Sequence, residues 1–172
     1  LVGKNNCILY GYGAYGDNYD PWFSSDIFSL IDRGLVLVRA HIRGSSYLGR
    51  QWYTDGRMGH KKNSFRDFIS TAEYLIDEGI TTPDNLIIYG GSAGGLLIGA
   101  AINMRPDLFK AAVADVPFVD VVNTMLDESI PLTAIEFEEW GNPLDKGMYD
   151  YMLSYSPYDN VSEQDYPHLL VL

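Results

Sequence analysis

Apolar positions along the chain keep two rhythms in turn. Short unbroken runs at Cys7–Tyr10 (Cys-Ile-Leu-Tyr), 35–38 (Leu-Val-Leu-Val), 86–89, 111–116 and 168–172 have the length and continuity of buried strands. Between them the spacing turns helical. Phe23, Ile27, Phe28 and Ile31 recur until Gly34 breaks the pattern. Phe65, Phe68, Ile69, Ala72, Leu75 and Ile76 fall on one stripe. That stripe predicts a helix with Asn63 or Ser64 as its cap, Asp67 in its first turn and Gly79 beyond its end. Residues 93–104 are apolar on most sides and predict a buried helix stopped by Pro106. The turns are equally legible. Gly11-Tyr12-Gly13 ends the first strand, Thr82-Pro83-Asp84 leads into the third, and Pro117 closes the fourth. From 118 to 167, Pro, Asp and Tyr accumulate, and short helices at most are expected. Strands alternating with helices predict a parallel sheet covered on both faces: α/β, doubly wound.

Composition narrows the function. With 172 residues, 47% of them hydrophobic, the chain can form one domain or a large piece of one. Intrinsic disorder is excluded by the aromatic content. No apolar run reaches the roughly 18–20 residues that a membrane span needs, so no membrane partner is expected. One cysteine, Cys7, excludes a disulfide framework and a multi-cysteine metal site. No cofactor or metal is called for. Twelve basic residues against twenty-three acidic ones leave a net charge of −11, which repels phosphates and argues against nucleic acid. Basic ligands are the ones such a surface favours. The chain opens at Leu1-Val2-Gly3, without Met, signal or targeting segment, and stops inside an apolar run at Leu172. It reads as a piece of a domain cut at both ends, with a cytoplasmic location expected.

One motif carries chemistry. Gly90-Gly91-Ser92-Ala93-Gly94 fits G-x-S-x-G between a predicted strand and a predicted helix, the setting of a nucleophile elbow. There the serine occupies a strained turn, and its neighbours must be small so that strand and helix can approach. The helix then aims its first N–H groups and its positive dipole end at a developing oxyanion. A glycine-rich turn that binds phosphate, or merely packs closely, is the bland alternative; a dinucleotide fingerprint is not matched. A serine nucleophile needs a base, in the order Ser, Asp or Glu, His. His41 and His60 precede Ser92, and His168 opens a predicted strand, whereas catalytic groups sit at the carboxyl ends of strands. His168 reads as structural, so the triad does not close within these residues.

Longer stretches resemble a known family. Tyr10-Gly11-Tyr12-Gly13, His41-Ile42-Arg43-Gly44, the elbow with Gly95, and Met104-Arg105-Pro106-Asp107-Leu108-Phe109 resemble the prolyl oligopeptidase family of serine peptidases. Val116-Pro117-Phe118-Val119-Asp120, Leu126-Asp127-Glu128-Ser129-Ile130-Pro131-Leu132, Glu138-Glu139-Trp140-Gly141-Asn142-Pro143 and Ser154-Tyr155-Ser156-Pro157 are similar to its oligopeptidase B branch. The resemblance implies a partial α/β-hydrolase catalytic domain over residues 1–172, with an N-terminal β-propeller and the rest of the domain outside this chain. It implies Ser92 as nucleophile, with the Ala93 backbone N–H and the Tyr12 hydroxyl as oxyanion hole. Tyr15 would line the substrate pocket, and Glu136 and Glu138 would accept an Arg or Lys side chain of short basic peptides. Those two carboxylates share a side if their segment is extended and diverge if it is helical. Composition alone reads them as a solvated acidic turn. The catalytic Asp and His would lie past Leu172, so turnover by this chain alone is not expected. A carboxylesterase-type hydrolase sharing the elbow, and a non-catalytic piece, are the competing readings.

Overall fold

The computed structural model describes residues 3–20 and 23–172; the Leu1-Val2 lead-in lies outside them. Five parallel strands form one sheet in the order β2-β1-β3-β4-β5. They are β1 (Cys7–Tyr10), β2 (Val36–Arg39), β3 (Leu86–Gly91), β4 (Ala111–Asp115) and β5 (His168–Val171). The chain steps from β1 outward to β2, returns across β1 to β3, then continues outward through β4 and β5. The winding direction thus reverses between β1 and β3, which is the doubly wound arrangement and the place where ligands bind in such sheets. Tyr10 pairs with Tyr89 across this central seam, so the chain leaves both strands side by side.

The helices are α1 (Ser25–Ile31), α2 (Arg50–Thr54), α3 (Lys62–Asp77), α4 (Ala93–Met104), α5 (Val121–Leu126), α6 (Thr133–Trp140) and α7 (Lys146–Leu153). Phe65 and Phe68 of α3, Leu96, Leu97 and Ile98 of α4, and Leu9, Leu86 and Ile88 of the central strands are fully buried and form one core with Trp140 and Met152. α4 buries nearly every residue from Ala93 to Ile102, as a helix apolar all round must. Asp120 and Asp145 cap α5 and α7, accepting from the backbone N–H of Asn123 and Met148 at 3.2 and 3.0 Å. Among the described residues no helix is long and apolar enough to cross a membrane.

Several expectations are corrected. α3 starts earlier than its stripe, with Lys61 at the cap position in helical conformation and no side-chain cap. Asn63 and Ser64 are engaged instead with loop carbonyls, of Asp55 at 2.9 Å and Arg43 at 2.7 Å. Asp67 takes a two-pronged bond from Arg43 that ties the loop after β2 to α3. Phe23 precedes α1 and is 81% exposed, and Phe28 and Ile31 are about half exposed, so that helical stripe faces no core here. β2 is half-buried throughout, and β5 is exposed along its whole length, because it is the last strand of the sheet. β4 stops at Asp115; Val116 leaves it with φ +38°. The connection after β2, unassigned by pattern, holds α2 and a tight turn at Met58–His60.

Candidate active site

At the carboxyl end of β3 the backbone turns sharply, and Ser92 adopts φ +54° and ψ −117°. For a residue with a Cβ this is a costly left-handed conformation. The surroundings hold it there. Ser92 N–H donates to the Asp115 carbonyl at 2.9 Å, and the Ser92 carbonyl accepts from Gly95, Leu96 and Phe118. Nearby glycines make the approach possible. A Cβ on Gly90 would meet the Gly94 carbonyl oxygen at 2.4 Å, and one on Gly94 would meet the Gly11 carbonyl oxygen at 2.7 Å. The serine is exposed while Ala93 behind it is buried. Ala93 opens α4, where the first N–H groups of a helix lack intrahelical partners and carry its positive end.

Tyr12 arrives from the loop after β1, across the seam where the winding reverses. Its phenol interacts with the Ser92 hydroxyl; burial, the strongest influence, and the Asp17 charge still hold its pKa above the ordinary value. Three residues on, Tyr15 has φ +58°. Its N–H donates to Glu139 Oε1 at 3.0 Å and its hydroxyl to Glu136 Oε2 at 2.7 Å. Burial, then the bond to Glu136, push the Tyr15 phenol far up. Trp140 Nε1–H donates to the same Glu136 oxygen at 3.0 Å, and its ring meets Tyr15 edge-on at 5.8 Å.

Several of these groups, Ser92, Ala93, Tyr15, Glu136 and Trp140, line a pocket of about 230 Å³ together with Phe118 and Met125. A larger groove of about 470 Å³ lies between α4 and β5. Its walls are aliphatic apart from Asn103 and two tyrosines, and it holds no nucleophile, so the smaller pocket is the candidate site.

Residues 133–140 form a helix, and that decides where the carboxylates go. Ala and Glu favour it, and Gly141, at φ +100°, ends it with its N–H on the Phe137 carbonyl. Positions three and four apart share a helix face. Glu136 therefore stands with Glu139 and Trp140 on the pocket side, while Glu138 is exposed on another face, where its charge acts on Arg57. The structure brings Ser92, Ala93, Tyr12, Tyr15 and Glu136 together and leaves Glu138 outside.

Glu139 was not singled out by pattern. It is 4% exposed and also accepts from the Tyr53 hydroxyl at 2.6 Å. The i, i+3 spacing from Glu136 was the available signal, readable once a helix is assumed. None of the three histidines lines the pocket. His41 stacks on Tyr47 at 3.9 Å, His60 sits in the Met58–His60 turn, and His168 opens β5 paired with Ala111, at the end of the sheet opposite Ser92.

A parallel sheet with flanking helices, carrying a strained serine at a strand-to-helix turn beside the winding reversal, defines the α/β-hydrolase fold and the geometry of its nucleophile elbow. Comparison with known proteins gives the family. The signature of the prolyl oligopeptidase family matches residues 21–172, and the chain belongs to that family. It is 56% identical over 169 residues to "Protease 2" of Moraxella lacunata, covering 98% of this chain and 24% of that protein. To "Dipeptidyl aminopeptidase BI" of Pseudoxanthomonas mexicana it is 53% identical, covering 98% and 23%. The solved structure of oligopeptidase B from Leishmania major superposes with a TM-score of 0.95 at 56% identity, over 98% of this chain and 24% of that one. The chain thus spans about a quarter of the length of the relatives it matches.

Proposed function

We propose that the full-length protein carrying this chain is a serine-type oligopeptidase that cleaves short peptides after Arg or Lys. The single observation that carries this reading is the shared pocket: Ser92, Tyr15 and the Glu136 carboxylate line one cavity, and the Tyr12 phenol lies beside Ser92. Ser92 Oγ attacks the scissile carbonyl, and the Ala93 N–H and Tyr12 hydroxyl receive the oxyanion. The peptide C–N bond then breaks, and the amine leaves with a proton relayed from the base that took it from Ser92. Water hydrolyses the resulting acyl-enzyme ester to free Ser92 and release the carboxylic acid. The proton-accepting His and its Asp come from residues outside this chain, since the three histidines here stand away from the pocket.

Glu136 supplies the preference for a basic side chain. Its Oε2 is held by Tyr15 and Trp140, and among the described residues nothing donates to Oε1. A guanidinium or ammonium entering the pocket meets a carboxylate already oriented, with its counter-charge partly withdrawn from water. Glu138 adds only its more distant field. Covalently bound antipain in a solved oligopeptidase B from Trypanosoma brucei, 55% identical to this chain, supports a covalent route. The short substrates, the partner β-propeller, the cytoplasmic location and the absence of nucleic-acid or membrane partners belong to the same proposal.

The test has two parts, both in the full-length protein. An organofluorophosphonate should label Ser92, as peptide mass spectrometry would show; label on another residue removes the mechanism. Glu136→Gln should lower kcat/KM for an Arg substrate roughly ten- to a hundredfold, the cost of a charge-assisted bond in a partly desolvated site. A small neutral ester should be hydrolysed at nearly the parental rate. An unchanged ratio between the two substrates would sink the specificity claim and favour an esterase.

A further inference from the structure

Lys61 is a buried cation that the reaction scheme above does not use. It is 1% exposed, although an ammonium is strongly hydrated and expensive to desolvate. Its Nζ donates to the Gly13 carbonyl at 2.5 Å and to the Gly56 carbonyl at 3.2 Å, and lies 4.9 Å from the centre of the Trp140 ring. Burial lowers its pKa to about 8, against the opposing influence of Glu139.

The acceptors say what the charge is for. Gly13 follows Tyr12 directly, and the Gly13 carbonyl is gripped from three sides. Lys61 donates to it, Ser64 Oγ lies 3.4 Å from it, and Gly44 packs so closely that a Cβ there would stand 2.0 Å from its oxygen. Two residues further on, the Tyr15 N–H is held by Glu139 Oε1. The loop that presents Tyr12 to Ser92 is therefore fastened at one carbonyl by a buried cation and at one N–H by a buried anion. Both fasteners lean on α6: Glu139 belongs to it, and Lys61 lies over its Trp140.

We propose that Lys61 and Glu139 are positioning residues that set the Tyr12 hydroxyl against Ser92 and lock the oxyanion loop to the helix bearing Glu136. The inference rests on the reading of Tyr12 as an oxyanion donor. A methionine would fill the Lys61 site at lower desolvation cost, but it has no donor for the Gly13 carbonyl, and the loop would lose its register rather than its packing.

The experiment is a double-mutant cycle in the full-length protein, with kcat and KM measured for an Arg substrate and a small neutral ester. Lys61→Met should lower kcat roughly ten- to a hundredfold on both substrates, approaching the loss of one oxyanion donor, while KM moves little. In a Tyr12→Phe background the same change should cost less than about twofold, since residues acting through one another are not additive. Equal fold-losses in both backgrounds would make Lys61 merely structural and overturn the inference. So would a Lys61→Met protein of parental kcat beside an impaired Tyr12→Phe. A fully active Tyr12→Phe protein removes the oxyanion reading and this inference with it. If Lys61→Met does not accumulate folded, Glu139→Gln takes its place in the cycle. It keeps an acceptor for the Tyr15 N–H and loses the charge. A loss that vanishes in the Tyr12→Phe background supports the proposal, and a fully additive one ends it.

Discussion

The elbow and the acidic wall facing it are built by opposite means. The elbow is local: from Leu86 to Met104 the chain makes strand, turn and helix in one pass. Its geometry depends on what is missing, the side chains at Gly90 and Gly94. The wall is assembled from three remote segments, with Tyr15, Tyr53 and Glu139 brought together across as many as 124 positions. Its geometry depends on what is present, a set of hydrogen bonds that converge on Glu136 and Glu139. Steric exclusion needs no partner and cannot be half satisfied. A polar network works only when every member is in place.

The comparison breaks most easily at the elbow. Gly90→Ala puts a methyl group against the Gly94 carbonyl, where neither backbone can yield, and should destabilise by roughly 1–3 kcal/mol as overpacked sites do. It should also cut turnover of Arg and neutral substrates alike, because the Ser92 turn itself is displaced. Chemical denaturation beside a two-substrate assay would check both. A stable, fully active variant would mean that the turn does not need the glycine.

A smaller effect is expected within the wall. Tyr53→Phe removes the donor to Glu139 Oε2 and leaves a buried carboxylate oxygen short of a partner, at about 1–2 kcal/mol. In contrast to Gly90→Ala, Ser92 should keep its labelling rate to within severalfold, since the elbow is made elsewhere. Equal damage to labelling in both variants would show that elbow and wall are one cooperative unit. The smallest effect belongs to Glu138→Gln. An exposed carboxylate away from the pocket should change stability by less than about 0.5 kcal/mol and the Arg-to-ester ratio by less than about twofold. A tenfold fall would place Glu138 in the binding site, and the helical divergence of the two carboxylates would no longer matter.

The legibility of the molecule follows the same division. β1, β3, α4 and the Ser92 turn could be read in sequence, because continuous apolar runs and adjacent glycines encode them within a few residues. Glu139, Tyr53 and Lys61 could not, because each owes its role to a residue dozens of positions away. Pairing Glu136 with Glu138 belongs to an extended segment. The helix at 133–140 pairs Glu136 with Glu139 instead, and no strong apolar stripe announces that helix. The exposed stripe on α1 shows the converse: helical periodicity marks a face but does not supply a surface to bury it.

Sequence by itself determined the alternation of strands and helices, the parallel sheet and the strained serine between β3 and α4, since these rest on local periodicity and on backbone sterics. Only the tertiary structure decided which carboxylate enters the Ser92 pocket and which buried cation grips the loop that carries Tyr12. The reversal of winding between β1 and β3 places two distant loops side by side, and hydrogen bonds that close across it have no counterpart in linear order.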